Sequence, residues 1–363
     1  MFETLVIQSH KGPYSVFFEE EVLPEKTHFP EGESHFLIDS KVARLYESNL
    51  KPILEHPNTI LIEAIENSKS IENIIPVFER LVRDKVRRSH VLIAIGGGII
   101  QDITCFIASV LLRGLLWKFI PTTLLAQADS CIGSKSSINL GSTKNILGTF
   151  NPPEAVFICP EFLETLDNHV LRSGVGEIIK VHAIEGVSKF DRLAADYDLL
   201  FSDQIVMQKY IRSALLIKRK FIEEDEFDSG IRNIFNYGHS FGHAIESTTN
   251  YVIPHGIAVT IGMDMANYIS VKRGMLPVEH HHRMHSLLYR NYESYAEIPI
   301  SVDLMLSELR KDKKNSNTML GLIFPVGRSA TIQKAQVSPD ETFRRQCQQF
   351  LDELNGNLKK KLN

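Results

Sequence analysis

The chain has 363 residues, 43% of them apolar and 23% charged, and its 40 Lys plus Arg against 44 Asp plus Glu leave a formal net charge of -4. This is ordinary globular composition, long enough for two domains, without the basic surplus of a nucleic-acid or membrane-surface binder. Cys105, Cys131, Cys159 and Cys347 are scattered, with the spacing of neither a metal site nor a disulfide framework.

No run approaches the roughly 20 apolar residues that span a bilayer. The opening MFETLVIQSHKGPYSVFFEE is acidic where a secretory signal is basic, so a cytoplasmic location is expected. Short apolar runs then alternate with longer mixed segments. HFLIDS at 35–40, TILIEAI at 59–65, HVLIAIG at 90–96, WKFIPTT at 117–123 and AVFICP at 155–160 read as strands of an open sheet. Segments such as SIENIIPVFERLVRDK place apolar residues at helical spacing and read as crossover helices. Residues 1–160 are therefore expected to form a doubly wound α/β domain. The Pro-rich stretch at 150–166 is the expected seam, and residues 161–363, with long amphipathic patterns and few β-branched runs, are expected to be mainly helical. The tail LKKKLN reads as a solvated, frayed terminus.

Three signals carry chemistry. In HVLIAIGGGIIQDITCFIAS a buried strand ends in Gly96-Gly97-Gly98 before a helix, which lets bare backbone N–H groups approach a phosphate. The run is not GxGxxG, and a plain strand-to-helix turn with Asp102 sitting comfortably in the first helical turn explains it equally well. In NYGHSFGHAIE, His239 and His243 are four apart and share one helix face. With His255 in IPHGIAV and Glu177 in SGVGEIIK they offer imidazole and carboxylate donors of the kind that hold zinc as a Lewis acid. Each histidine alone is more often a core or surface residue. The string His280-His281-His282 places consecutive side chains on different faces, where they cannot converge on one ion, and reads as a polar loop or exposed face. Finally, Lys135, Lys144, Lys180, Lys218, Arg232 and the pair Lys313-Lys314 suggest bound phosphate or carboxylate, although a solvated surface is the common fate of a lysine.

Taken in order, ENSK, GGGIIQD, LLRG, PTTLLAQADSCIGSKSSIN, KNILGTF, SGVGEIIK, IRNIFNYGHSFGHAIE, HGIAVTIGM and KDKK resemble the sugar phosphate cyclases, and within them the dehydroquinate synthase family. The resemblance implies an N-terminal Rossmann-like α/β domain followed by a helical metal-binding domain. It implies NAD contacts at Asp39, Glu66, Lys69, Gly97, Gly98, Asp102, Thr122, Thr123, Lys144, Thr165 and Leu166, and zinc, or cobalt in its place, on Glu177, His239 and His255. Substrate positions fall on Asp129, Lys135, Asn145, Lys180, Lys218, Arg232, Asn236, His243 and Lys313 or Lys314. Arg113 matches a residue given across a homodimer interface. The implied chemistry is oxidation of a sugar-phosphate hydroxyl by NAD, loss of phosphate, re-reduction and ring closure.

The chain departs from the family pattern at Gln101 and Cys105, which replace glycines, and at Ser134 and Ser136 around Lys135. It departs again at Ile257, where an acidic residue is usual, and at Val181 and His182, expected near the metal. These departures keep open the paralogous cyclases, which act on glucose 6-phosphate, sedoheptulose 7-phosphate or an amino analogue. A polyol dehydrogenase and a non-catalytic binding protein are further alternatives. The cation cluster opposes the former, and the intact Glu177, His239 and His255 oppose the latter.

Overall fold

The computed structural model describes residues 2–22, 29, 32–141, 143–311 and 319–361, with side chains to residue 354. It divides into two compact units. One comprises Met1–Asp167 with Lys218–Asp228, and the other Asn168–Ile217 with Ser229–Asn363. The division thus falls seven residues beyond the expected domain boundary at 160/161, and residues 218–228 return to the first unit, because chain contacts rather than proline content define a domain.

The first unit is built on strands β1 (Leu5–Ile7), β2 (Tyr14–Phe18), β3 (Ser34–Asp39), β4 (Thr59–Ile62), β5 (Val91–Gly96), β6 (Leu116–Pro121) and β9 (Ala155–Ile158). They form one sheet in the order β1-β2-β9-β6-β5-β3-β4, parallel except for β1 against β2. All six residues of β5 and all four of β9 are buried, as expected of strands covered on both faces. Helices α1 (Ser40–Leu45), α2 (Glu47–Leu54), α3 (Ile71–Arg83) and α4 (Gly98–Val110) connect them. Strand order reverses between β3 and β5, whose carboxyl ends are Asp39 and Gly96. Such a switch point is where open α/β sheets leave a ligand crevice. A separate antiparallel hairpin, β7 (Lys135–Leu140) with β8 (Thr143–Phe150), packs on α4.

The second unit holds α5 (Asn168–Glu185), α6 (Val187–Ala195), the first two thirds of α7 (Gln204–Glu224), α8 (His239–Thr248), α9 (His255–Lys272), α10 (Val278–Tyr292), α11 (Val302–Lys311) and α12 (Glu341–Lys361). An antiparallel pair, β10 (Leu320–Val326) with β11 (Thr331–Val337), was not foreseen in the helical half. Fifteen of the eighteen residues of α9 are buried, from Gly256 to Ser270, so this helix is the axis of the unit. No helix among the described residues is long and apolar enough to cross a membrane. The four cysteines are free and buried. Burial pushes their thiols up, to about 12 at Cys105, Cys131 and Cys347 and about 11 at Cys159.

Candidate active site

In the first unit the Gly-rich turn sits at the switch point. A Cβ on Gly98 would meet nothing within 4 Å, so the first turn of α4 presents open space to its unpaired N–H groups. Beside it, Thr122 is 2% exposed, and its Oγ1 has no hydrogen-bond partner among the described residues. Thr123 accepts from the Ala126 amide at 3.2 Å. An open helix N-terminus and an orphaned buried hydroxyl suit a dinucleotide's phosphates and ribose. Asp39 caps α1 by accepting from the Lys41 amide at 2.8 Å, and burial raises its carboxyl above the usual range despite that bond.

Asp102 ties the turn to the hairpin. Lys69 reaches one carboxylate oxygen at 2.9 Å, and the Ser137 amide of β7 donates to the other at 2.9 Å. Burial raises the Asp102 pKa, and Lys69 and the Ser137 amide oppose that rise. Glu66 accepts from Asn139 at 2.8 Å, also on β7. The hairpin then carries Lys135, ion-paired to Asp228, exposed Lys144, and Asn145, whose φ of 53° and 2.6 Å bond from Ser137 fix its side chain. Lys218, 7% exposed, bonds the Asp129 carbonyl at 2.5 Å and pairs with its carboxylate. Thr165 meets the Tyr46 hydroxyl at 3.1 Å, and Leu166 lies half-buried next to it. Arg113 is exposed, at φ 67°, between exposed Leu112 and Leu116.

In the second unit three helices bring the metal-type residues together. A Cβ on Gly256 would lie 1.8 Å from the Ser173 carbonyl oxygen, and one on Gly176 would lie 2.3 Å from that of Gly256, so α5 and α9 cross backbone against backbone. Gly238, at φ 78°, turns the chain into α8 within 2.5 Å of the Val259 carbonyl for any added Cβ. His239 and His255 thereby become the first residues of α8 and α9, both facing Glu177 on α5. Their Nε2 atoms lie 3.7 and 3.4 Å from Glu177 Oε1. Lys180, one turn further along α5, holds the other carboxylate oxygen at 2.5 Å. Glu177 is 1% exposed and Lys180 2%.

One participant escaped the motif reading. Glu246 accepts from His255 Nδ1 at 3.0 Å, an outer carboxylate that orients the ring. It lies seven residues after His239 and three after His243, on the same face of α8, and this spacing was the available signal. Burial works against a charged His255, but Glu177 and Glu246 outweigh it and raise the ring to about 10. The pocket thus favours a positive charge, and two imidazoles with a carboxylate suit zinc. His243 is exposed, with its ring 5.5 Å from those of His239 and His255. Arg232 is buried, Lys180 lies over the Phe235 ring, and Asn236 donates to the Asn233 carbonyl at 2.9 Å. Lys313 and Lys314 lie outside the described residues.

Residues 59–173 match the 3-dehydroquinate synthase N-terminal family and residues 174–315 its C-terminal counterpart. A 3-dehydroquinate synthase of Dictyoglomus turgidum is 35% identical over 328 residues, covering 89% of this chain and 92% of the relative. The chain belongs to the 3-dehydroquinate synthase family. It is an enzyme of the sugar phosphate cyclase type, a phosphate-eliminating lyase. Among solved structures, 2-epi-5-epi-valiolone synthase from Streptomyces hygroscopicus with NAD+ and Zn2+ bound superposes with a TM-score of 0.81 at 26% identity, covering 95% of this chain and 97% of that one. A 2-deoxy-scyllo-inosose synthase shares the fold, with a TM-score of 0.81 at 23% identity, over 96% of this chain and 100% of its own.

Several departures from the family pattern have structural roles. Gln101 does not reach over the Gly-rich turn. It is buried and exchanges two 2.6 Å hydrogen bonds with Ser130, tying α4 to the turn that carries Asp129. Cys105 lies in the core against the Asn151 carbonyl. His182 is not beside the metal-type cluster: it donates to the Ile178 carbonyl at 2.8 Å and meets Ser213 of α7 at 2.9 Å, and burial lowers it to about 4. Ile257 is fully buried in α9.

Proposed function

We propose that the enzyme closes 3-deoxy-D-arabino-heptulosonate 7-phosphate to 3-dehydroquinate with release of inorganic phosphate, using NAD and one zinc-type ion. The observation that carries this reading is the meeting of Glu177, His239 and His255 from three helices in a chain of this family. NAD supplies a reversible oxidation that leaves no net NADH, and the divalent ion supplies Lewis acidity.

The chain's own residues divide the remaining work. Glu177, His239 and His255 hold the ion. Once an ion displaces the Nε2 proton, Glu246 would keep the remaining His255 proton on Nδ1, while Lys180 occupies Glu177 Oε2 and leaves Oε1 to the ion. The bare turn at Gly97 and Gly98 takes the cofactor phosphates, with Thr122 a ready donor and Asp39, Glu66, Lys69, Asp102, Thr123, Lys144, Thr165 and Leu166 around the nucleotide. Lys135, Asn145 and His243 grip the substrate phosphate, with Lys135 exchanging Asp228 for it. Lys218 and Arg232 meet the sugar-acid carboxylate, Asp129 holds Lys218 in place, and Asn236 orients the hydroxyls. The departing phosphate takes the proton, so these groups position and neutralise.

We further propose a homodimer in which Arg113 reaches the partner's phosphate. Exposed Val110, Leu112 and Leu116 around it support such a surface. A monomer by light scattering would overturn that part.

A paralogous substrate, sedoheptulose 7-phosphate, is the second reading, favoured by the likeness to 2-epi-5-epi-valiolone synthase and by Ile257. Incubation with NAD, Zn2+ and each sugar phosphate separates them. The heptulosonate is expected to release phosphate without NADH accumulation. Phosphate release from sedoheptulose 7-phosphate or glucose 6-phosphate alone would establish a paralogue, and stoichiometric NADH a dehydrogenase.

A further inference from the structure

The second unit contains another carboxylate buried against two histidines. Asp264 lies in the middle of α9, 0% exposed, nine residues and so about 13 Å of helix beyond His255. A charged side chain is rarely left in such a place unless something of opposite charge meets it. His281 and His285, four apart on α10, share the face that meets α9. His285 Nδ1 lies 2.7 Å from Asp264 Oδ2, and the buried Tyr292 hydroxyl donates to the same oxygen at 2.5 Å. The Asp264 carboxyl stays below its usual range: burial opposes ionisation, but His281, His285 and Tyr292 outweigh it.

The other carboxylate oxygen is the informative one. His281 Nε2 approaches Asp264 Oδ1 to 3.3 Å, yet neither atom makes a hydrogen bond among the described residues. Two polar atoms at that separation, not aimed at one another, have the relation of ligands that share a third atom. A tetrahedral zinc ion with bonds of about 2.0–2.2 Å holds neighbouring ligand atoms about 3.4 Å apart. His255 Nε2 and Glu177 Oε1 are separated by 3.4 Å in the first cluster. Donor atoms of Asp264, His281 and His285 all lie within 4.8 Å of one another.

We infer that Asp264, His281 and His285 form a second divalent-cation site of zinc type, with Tyr292 orienting the carboxylate, that fastens α10 to α9. The eye-catching string is not the site. His280 donates to the Arg328 carbonyl and accepts from Arg283, which occupies both ring nitrogens, and His282 is exposed. The part-exposed His281 and His285 give an ion its way in.

The test counts tightly held metal. Protein is loaded with ZnCl2, stripped of loose ions by a competing chelator and assayed by atomic emission. Wild type is expected to keep about two zinc ions per chain, and H281Q and H285Q about one each. H280Q/H282Q is expected to keep about two. His239→Ala, which removes a ligand of the first cluster, is expected to keep about one, and H239A/H281Q about none. Because His281 and His285 are part-exposed, their Gln variants avoid the folding risk of altering buried Asp264. Zinc added to metal-free H239A should raise its melting temperature, and this rise should vanish in H239A/H281Q. A wild type holding one zinc, or H281Q and H285Q both holding two, overturns the second site. Undiminished zinc in H239A alone instead overturns the first.

Discussion

The two histidine–carboxylate clusters use the same donor types, yet their surroundings suit them to different work. Glu177, His239 and His255 come from three helices, and both histidines are the first residues of theirs. Helix N-termini carry a positive partial charge, so an oxygen or anion beside that cluster is stabilised. Lys180 adds a cation at 2.5 Å from Glu177. Asp264 and His285 instead sit in helix interiors, His281 lies at the end of the first turn of α10, and the added donor is the neutral Tyr292 hydroxyl. The first arrangement can hold an ion together with a reacting oxygen. The second has no such helix end or added cation beside it among the contacts described. Ligand identity therefore does not distinguish the two clusters; their place at helix ends and the charge around them do.

The largest effect is expected from Glu177→Gln, which removes the charged oxygen both histidines face. Turnover should fall roughly 10^3-fold, about 4 kcal/mol, with the far-UV spectrum unchanged. Retention of full turnover would erase the distinction between the clusters.

His182 sharpens the comparison as a buried histidine whose ring nitrogens meet a carbonyl and a hydroxyl. Its pKa, lowered from 6.5 to about 4 in the folded chain, means that the unfolded chain binds more protons between those values. Its contribution is therefore complete above pH 6.5 and is lost as pH falls towards 4. In urea unfolding, His182→Gln should flatten the wild-type loss over that window by up to about 3 kcal/mol.

Glu246→Gln keeps a hydrogen-bonding partner for His255 but removes the outer carboxylate. Zinc affinity at the first cluster should drop about 10- to 100-fold, with turnover recovered by added zinc. The smallest effect is expected from Tyr292→Phe, a loss of about 1 kcal/mol in thermal stability from one hydrogen bond to Asp264, with turnover unaltered. Loss of turnover there would place the second cluster in the catalytic machinery.

Much of this was legible beforehand. The five expected strands of the sheet formed within three residues of the expected limits, because buried parallel strands are continuous apolar runs bounded by glycine or proline. The hairpin at 135–150 escaped because KSSINL is mostly polar and TKNILGTF is largely exposed, so no apolar run or clear alternation marks them as strands. The pair at 320–337 escaped because its first strand contains Pro325, which reads as an interruption. The metal-type triad was found through its motifs, but Glu246 was not, since a carboxylate on a helix face reads as solvated. The second cluster was passed over because His280-His281-His282 draws attention to consecutive residues, while the relevant spacing is from His281 to His285.

By itself the sequence determined the alternation of strands and crossover helices, the Gly-rich turn after a buried strand, the helical face that carries His239 and His243, and the absence of a disulfide framework. Each follows from local periodicity or from a residue's own chemistry. Only the tertiary structure decided that Gly176 and Gly256 let α5 and α9 touch, that Gln101 turns to Ser130, that His182 is a neutral core group, and that Asp264 is buried opposite two histidines. These depend on which segments meet across long stretches of chain, and burial, which sets the charge of a carboxylate or an imidazole, exists only after that meeting.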